Sequence, residues 1–287
     1  MSFFKLAVFL ALFVPGIWIS LRYAAGAIGP RPLNEAIREF GLWTLRFLFL
    51  ALAVTPLRQI FSSPRLASLR RMIGLAAFSY AAVHFLFYNA DQSFKILKVG
   101  GEIFSRLYLL IGFVALCGLT TLAATSTDGM VRRLGARSWQ RLHRLVYALA
   151  VLGVVHFFMQ SKLYVWEPMV MAGLLLWLLG YRLLARLSPQ RGGVPLTWLC
   201  ALSLFAGIAT AIGEAAYFAF KTGANGWRVF GVEFSLAAGL RPAPVVLAVG
   251  LGICALAALS VFLSRPRTRG PRFLSTSPSP LRQKPAA

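Results

Sequence analysis

The stretch that decides the fold runs from Met171 to Gly180 and reads MAGLLLWLLG. A second stretch, Val245–Ser260, reads VVLAVGLGICALAALS and contains no charged residue. Apolar runs of about 20 residues cross the hydrocarbon core of a bilayer. They cross it as helices, because the backbone must satisfy its own hydrogen bonds there. These two stretches therefore predict membrane-spanning helices.

Six further segments have similar length and apolar character. The sequence therefore predicts an all-α fold, a polytopic membrane bundle of about eight transmembrane helices. The predicted spans cover residues 5–24, 41–58, 72–90, 107–125, 143–160, 165–187, 195–217 and 243–264. The first span contains Lys5, is long enough to cross a membrane, and has Arg22 before any cleavage site, so we expect a retained anchor helix and not a signal peptide.

The composition agrees with a membrane protein. Of the 287 residues, 58% are hydrophobic and 13% are charged, whereas soluble domains are about 25% charged. A formal net charge of +22 by itself would suggest a nucleic-acid binder, but such proteins do not carry repeated apolar runs of membrane length. We expect no nucleic-acid partner and no soluble enzyme domain. The sequence also lacks a GxGxxG motif and a phosphate-binding loop.

The positive charge predicts the topology. If the N-terminus is cytoplasmic, that side receives 19 of the 30 Lys and Arg residues and a single acid, Asp128. The opposite side receives 10 cations and seven acids. Because excess Lys and Arg mark cytoplasmic loops, both termini are predicted to be cytoplasmic. The same excess predicts some attraction to anionic membrane lipid.

All three histidines lie in or beside predicted spans. His84 and His156 lie on helices that run in the same direction, each about 20 Å from the cytoplasmic edge. Two imidazoles at one level, without a Cys, Asp or Glu as third ligand, favour haem over zinc. Small residues three positions earlier, Ala81 and Gly153, leave room for a flat macrocycle. The alternative is a pair of histidines that form hydrogen bonds between helices.

Two other residues are candidates for a cofactor site. His143 lies near the cytoplasmic surface and has no fourth histidine to face it. It could ligate a second haem asymmetrically, contact a flavin or quinone, or be an ordinary interfacial residue. Arg46 is expected inside the second span, about one and a half turns from its periplasmic end. It could pair with a haem propionate or extend to the interface.

Several ordered motifs carry a family resemblance. They are residues 41–48 (GLWTLRFL), 55–57 (TPL), 70–75 (RRMIGL) leading to His84, 139–147 (WQRLHRLVY) and His156. Together they resemble the MsrQ family of haem-binding membrane subunits, part of the ferric-reductase-like transmembrane superfamily that includes the NADPH oxidases. The resemblance covers about residues 5–188, the first six predicted spans.

The resemblance implies a role in the bacterial inner membrane. Members pass electrons from the quinone pool or a cytosolic flavin reductase to MsrP, a periplasmic molybdopterin reductase that repairs methionine sulfoxide in oxidised proteins. Haem b is implied, with His84, His143 and His156 as the haem-site histidines, and FMN is also attributed to the family. Relatives with two haems carry a second histidine where this chain has arginine. One fully ligated haem is therefore expected and a second is possible, with the substrate chemistry on the partner.

Three regions follow from this comparison. Residues 1–188 are predicted to form a ferric-reductase-like haem-binding core, 189–264 an additional two-helix membrane region, and 265–287 a disordered basic cytoplasmic tail. Two alternative functions stay open. One is a membrane ferric reductase, or another b-type cytochrome with a different acceptor. The other is a transporter or scaffold whose histidines are structural.

Overall fold

The computed structural model describes residues 3–162, 164–188, 193–235 and 239–264, so the predicted tail lies outside the described residues. Within these residues the chain forms thirteen α-helices and one 3₁₀-helix, with no β-strand. The α-helices are α1 (Phe3–Ala11), α2 (Val14–Ala24), α3 (Pro32–Ile60), α4 (Arg70–Asp91), α5 (Ile96–Ser105), α6 (Leu107–Ala124), α7 (Asp128–Leu134), α8 (Ala136–His143), α9 (Leu145–Gln160), α10 (Trp166–Leu187), α11 (Leu196–Thr222), α12 (Gly226–Val232) and α13 (Pro242–Ser264). The 3₁₀-helix, Pro64–Leu69, immediately precedes α4.

Eight helical segments among the described residues are long and apolar enough to cross a membrane, which confirms the predicted polytopic bundle. The largest boundary difference concerns the second span, which was expected to begin at residue 41 and begins at Pro32. Proline in the first turn suits a helix start because its missing N–H has no intrahelical partner there. Glu35 in the same turn complements the positive end of the helix dipole.

The first span is broken between α1 and α2. Pro15 has no N–H, so it interrupts the regular hydrogen bonds of the helix. The Tyr80 hydroxyl of α4 enters the break: it donates to the Leu12 carbonyl at 2.9 Å and accepts from the Gly16 N–H at 2.6 Å. A side chain on the neighbouring helix thus satisfies both backbone groups where the helix cannot.

The centre of the bundle is α3, which packs along α4 and also contacts α9 and α10. Pro56 lies inside α3 and removes the N–H that the Leu52 carbonyl would otherwise accept. Arg182 of α10 replaces it, because its Nη2 donates to the Leu52 carbonyl at 2.5 Å. The same guanidinium donates to the Leu178 carbonyl and lies 5.1 Å from the centre of the Tyr147 ring on α9. This contact joins three helices.

The C-terminal helices α11 and α13 pack against each other and against α10. Between them lie two buried carboxyl groups and one guanidinium. Arg241 Nη2 is 3.0 Å from Glu214 Oε1, and Arg241 Nε is 3.5 Å from Glu233 Oε1. Both glutamates are at most 2% exposed. Two carboxyl groups therefore share one cation.

Candidate functional site

The structure brings two of the three histidines together. His84 lies on α4 and His156 on α9, and their ring centroids are 6.4 Å apart with the ring planes at 90°. Each is close to the C-terminal end of its helix, since α4 ends at Asp91 and α9 at Gln160. The prediction that the two rings lie at one level therefore agrees with the geometry.

Each of these two rings is held by a backbone carbonyl. Nδ1 of His84 lies 2.7 Å from the Ile37 carbonyl on α3, and Nδ1 of His156 lies 2.7 Å from the Tyr108 carbonyl on α6. A carbonyl oxygen can only accept, so both Nδ1 atoms carry the proton and donate it. In neutral imidazoles this leaves the Nε2 lone pairs free to bind a metal ion.

The distance between the rings suits a shared iron atom. Metal–imidazole bonds are about 2.0–2.1 Å long, so two rings bound to opposite sides of one ion have centres about 6 Å apart. The observed separation is 6.4 Å. Among the described residues there is no group of three or more His, Cys, Asp or Glu side chains that could hold a metal ion by itself. The pair thus suits a cofactor that brings its own equatorial ligands, as haem does.

Both histidines line a partly open cavity of about 590 Å³, whose walls come mainly from α3, α4, α6 and α9. That volume lies in the usual range of small-molecule sites, about 300–1,000 Å³. The walls are mostly apolar or small, as a porphyrin requires: Gly41, Leu45, Leu48, Ala81, Phe85, Gly112, Phe113, Leu116, Leu149, Gly153 and Phe157. Ala81 and Gly153, which the sequence singled out as small neighbours, are both among them.

Polar side chains gather at one end of this cavity. Arg38 and Lys162 line it and are exposed, while Glu167 lies 2.6 Å from Arg38. The Tyr88 hydroxyl is buried in the lining and has no hydrogen-bond partner among the described residues. A bound group with carboxylates at this end would supply the acceptor that Tyr88 lacks. We refer to Arg38, Tyr88 and Lys162 as the cavity mouth.

The structure separates Arg46 from this cavity, whose lining does not include it. Its guanidinium lies over the Trp43 ring, 4.7 Å from the ring centre. The predicted distance of Arg46 from the end of its helix was wrong: because α3 begins at Pro32, Arg46 lies about four turns from that end. The charged first turns of α3 made the helix look shorter than it is. Arg38 lies in those turns, outside the predicted span, and was therefore not among the candidate residues. The role of Arg46 beside a cofactor stays a prediction.

His143 lies apart from the other two histidines, at the end of α8. Its ring stacks on Trp139 with centroids 4.0 Å apart, and its Nε2 lies 3.2 Å from the Thr125 hydroxyl oxygen. That hydroxyl also lies 2.8 Å from the Thr121 carbonyl. Nε2 of His143 is therefore in hydrogen-bond contact with a protein group, and this ring does not line the His84–His156 cavity.

Comparison with known proteins identifies relatives that match up to two thirds of this chain. A family profile described as "Ferric reductase like transmembrane component" matches residues 40–154. A "Protein-methionine-sulfoxide reductase heme-binding subunit MsrQ" of Rhodospirillum rubrum is 42% identical over 190 residues, which cover 66% of this chain and 91% of the relative.

Relatives with the same name from Caulobacter vibrioides and Polaromonas naphthalenivorans are 42% and 40% identical. These two matches cover 54% and 62% of this chain, and 74% and 83% of the relatives. No solved structure matches the chain significantly.

Proposed function

Because the chain belongs to the MsrQ family of haem-binding subunits, we propose that it is a b-type cytochrome of the inner membrane. In this role it carries electrons to a periplasmic methionine-sulfoxide reductase of the MsrP type. The observation that carries the proposal is the pair His84 and His156. Both rings line one cavity, both Nδ1 protons are donated to carbonyls, and the ring centres are separated as two ligands of one iron require.

In this proposal the chain binds one haem b, which supplies a reversible one-electron change at iron. His84 and His156 would hold it through Nε2, and the carbonyls of Ile37 and Tyr108 fix the two rings. Arg38, Lys162 and Tyr88 at the cavity mouth would attract its carboxylates. A haem held by two histidines would supply electron transfer in preference to oxygen binding.

The apolar walls exclude water from the cavity. Fewer solvent dipoles would therefore have to reorient when a cofactor there gains or loses an electron. The cavity mouth, where Lys162 follows the end of α9, would attract the carboxylates of the cofactor. In the orientation predicted from the loop charges, that end is periplasmic. A periplasmic acceptor could therefore approach the cofactor edge closely.

The donor, the flavin and a second haem rest on the resemblance alone. Either the quinone pool or a cytosolic flavin reductase could supply the electrons. No cluster among the described residues identifies a flavin site, so FMN stays a prediction. His143 stays a prediction as a ligand, and its position outside the lining of the His84–His156 cavity favours a role at the cytoplasmic surface.

Absorption spectra of the detergent-purified protein test the haem. We expect a Soret band in the oxidised protein and a sharp α band after dithionite. His84→Ala and His156→Ala should each lose most of the haem, because each removes one ligand. His143→Ala should retain more haem than either. Equal loss in all three variants, or no haem spectrum in the parent protein, would contradict the assignment.

A second experiment separates the two possible acceptors. The dithionite-reduced protein, freed of excess reductant, is mixed with the periplasmic molybdopterin reductase or with a ferric chelate, and the α band is followed in time. Rapid reoxidation by the molybdoenzyme together with slow reoxidation by the chelate is the expected result. The opposite order would favour a ferric reductase.

A further inference from the structure

Two glycines lie directly against the two histidine rings. A Cβ atom at Gly41 of α3 would lie 2.9 Å from Nδ1 of His84 and 3.1 Å from its Cε1. Non-bonded carbon–nitrogen and carbon–carbon contacts in proteins are about 3.5–4.0 Å long. A residue other than glycine at position 41 would therefore collide with the ring in its present position. The close contact with the ring, and not the occurrence of glycine in the helix, is therefore the informative observation.

The second histidine has the same arrangement on a different helix. A Cβ atom at Gly112 of α6 would lie 2.7 Å from Cε1 of His156 and 2.8 Å from its Nδ1. The carbonyl that accepts from this ring belongs to Tyr108, four residues before the glycine. On α3 the accepting carbonyl of Ile37 also lies four residues before Gly41.

The spacing of four residues explains why glycine is needed. In an α-helix the carbonyl of residue i accepts from the N–H of residue i+4. An imidazole that donates to the same carbonyl must approach over residue i+4, where a side chain would block it. Each helix therefore provides a carbonyl and, one turn later, an open position. We call these two devices, Ile37–Gly41 and Tyr108–Gly112, the imidazole seats.

We propose that Gly41 and Gly112 are positioning residues that set the planes of the two histidine rings, and with them the electronic character of the bound iron. The inference rests on the proposed haem function and deepens it. The seats lie on two different helices and hold the rings perpendicular, at 90°. Ring planes at right angles and parallel ring planes split the iron orbitals differently, which electron paramagnetic resonance of the oxidised haem detects.

The seats also bear on the reduction potential. An imidazole that donates its Nδ1 proton strongly is a more basic ligand, and a more basic ligand favours the oxidised iron. A methyl group at either glycine would push the ring from its carbonyl and weaken that hydrogen bond. The midpoint potential should therefore rise in Gly41→Ala and in Gly112→Ala.

The test compares these two variants with a third, in which an added Cβ atom is equally crowded but does not lie against a histidine. Gly180 lies on α10, and a Cβ there would lie 2.5 Å from Cδ1 of Leu202, an aliphatic side chain outside the cavity lining. Gly180→Ala therefore disturbs helix packing without touching a histidine or a cavity wall. Gly74→Ala on α4 is the neutral control, because no atom lies within 4 Å of its Cβ position.

The parent protein should show the single large-g signal of perpendicular imidazole planes. Gly41→Ala and Gly112→Ala should move that signal toward a rhombic spectrum and raise the midpoint potential, or lose haem while the purified protein stays monodisperse. Gly180→Ala and Gly74→Ala should keep the parent signal. The proposal is overturned in three cases: Gly41→Ala and Gly112→Ala keep the parent spectrum, Gly180→Ala changes it equally, or the parent protein is rhombic. A parent protein without a haem spectrum would instead refute the proposed function.

Discussion

The hydrogen bond from Arg182 to the Leu52 carbonyl predicts an energetic coupling between Arg182 on α10 and Pro56 on α3. The carbonyl lacks a helical donor because Pro56 follows it by four residues. Replacement of Arg182 by alanine leaves that carbonyl unpaired inside the bundle. It also removes the donor to Leu178 and the contact with the Tyr147 ring.

The size of the effect follows from these contacts. A hydrogen bond from a charged donor contributes about 1.5–3 kcal/mol in proteins, and side-chain hydrogen bonds between membrane helices contribute about 0.6–1.7 kcal/mol. We expect Arg182→Ala to lower the free energy of unfolding by about 2 kcal/mol. In a Pro56→Ala background the backbone N–H returns to the helix, so the same change should cost only about 1 kcal/mol.

The assay is a double-mutant cycle on the detergent-solubilised protein, unfolded with SDS and followed by circular dichroism. Arg186→Ala, one turn further along α10 and exposed, is the matched control and should leave stability unchanged in both backgrounds. Independent sites add to within about 0.3–0.5 kcal/mol. A coupling smaller than that between positions 56 and 182 would refute the idea that the arginine replaces the missing helical donor.

Three other predictions concern contacts outside the cavity. Tyr80→Phe removes the hydroxyl that bridges the break in the first span and should cost about 1–2 kcal/mol of unfolding free energy in the same SDS titration, with the haem spectrum retained. The hydrogen bond from Arg71 holds the pKa of Asp128 below its usual value. The carboxylate therefore stabilises the fold at neutral pH, and this small contribution is lost as the pH falls below the usual carboxyl range. Asp128→Asn should remove that part of the pH dependence of the unfolding midpoint, and an unchanged pH profile would contradict it. Arg241→Ala leaves two buried carboxyl groups without a cation and should destabilise the protein strongly, by about 3–5 kcal/mol, whereas Glu233→Gln should be tolerated because one cation then faces one acid. Similar losses in both variants would show that charge balance does not govern this cluster.

The sequence predicted the features that follow from helix geometry alone. Eight apolar segments of sufficient length predict eight spans, and a fixed rise per residue predicts that His84 and His156 lie at one level. Both results need only the chain direction and the spacing. The depth of Arg46 needed a helix boundary as well, and charged residues in the first turns of α3 concealed it.

The remaining parts of the site depend on how helices are rotated against each other. Nothing in the local sequence shows that Gly41 faces an imidazole or that Tyr88 faces the cavity, because these contacts join helices distant in the chain. A proline inside a helix leaves one carbonyl without its helical donor, but nothing in the sequence selects Arg182 as the residue that replaces this donor. Periodicity determines the face of a helix, whereas the identity of the neighbour requires the packed structure.

The position of His84 along α4 has an electrical consequence. The residue lies two thirds of the way from Arg70 to Asp91, so in the proposed orientation a cofactor there divides the membrane potential unequally. One charge crossing the whole bilayer exchanges about 2.3 kcal/mol per 100 mV. An electron that enters from the cytoplasmic surface would gain about 1.5 kcal/mol per 100 mV before it reaches the cofactor. The final step outward would gain only about 0.8 kcal/mol. The interior-negative potential of a respiring cell would therefore drive the filling of this site more strongly than its emptying.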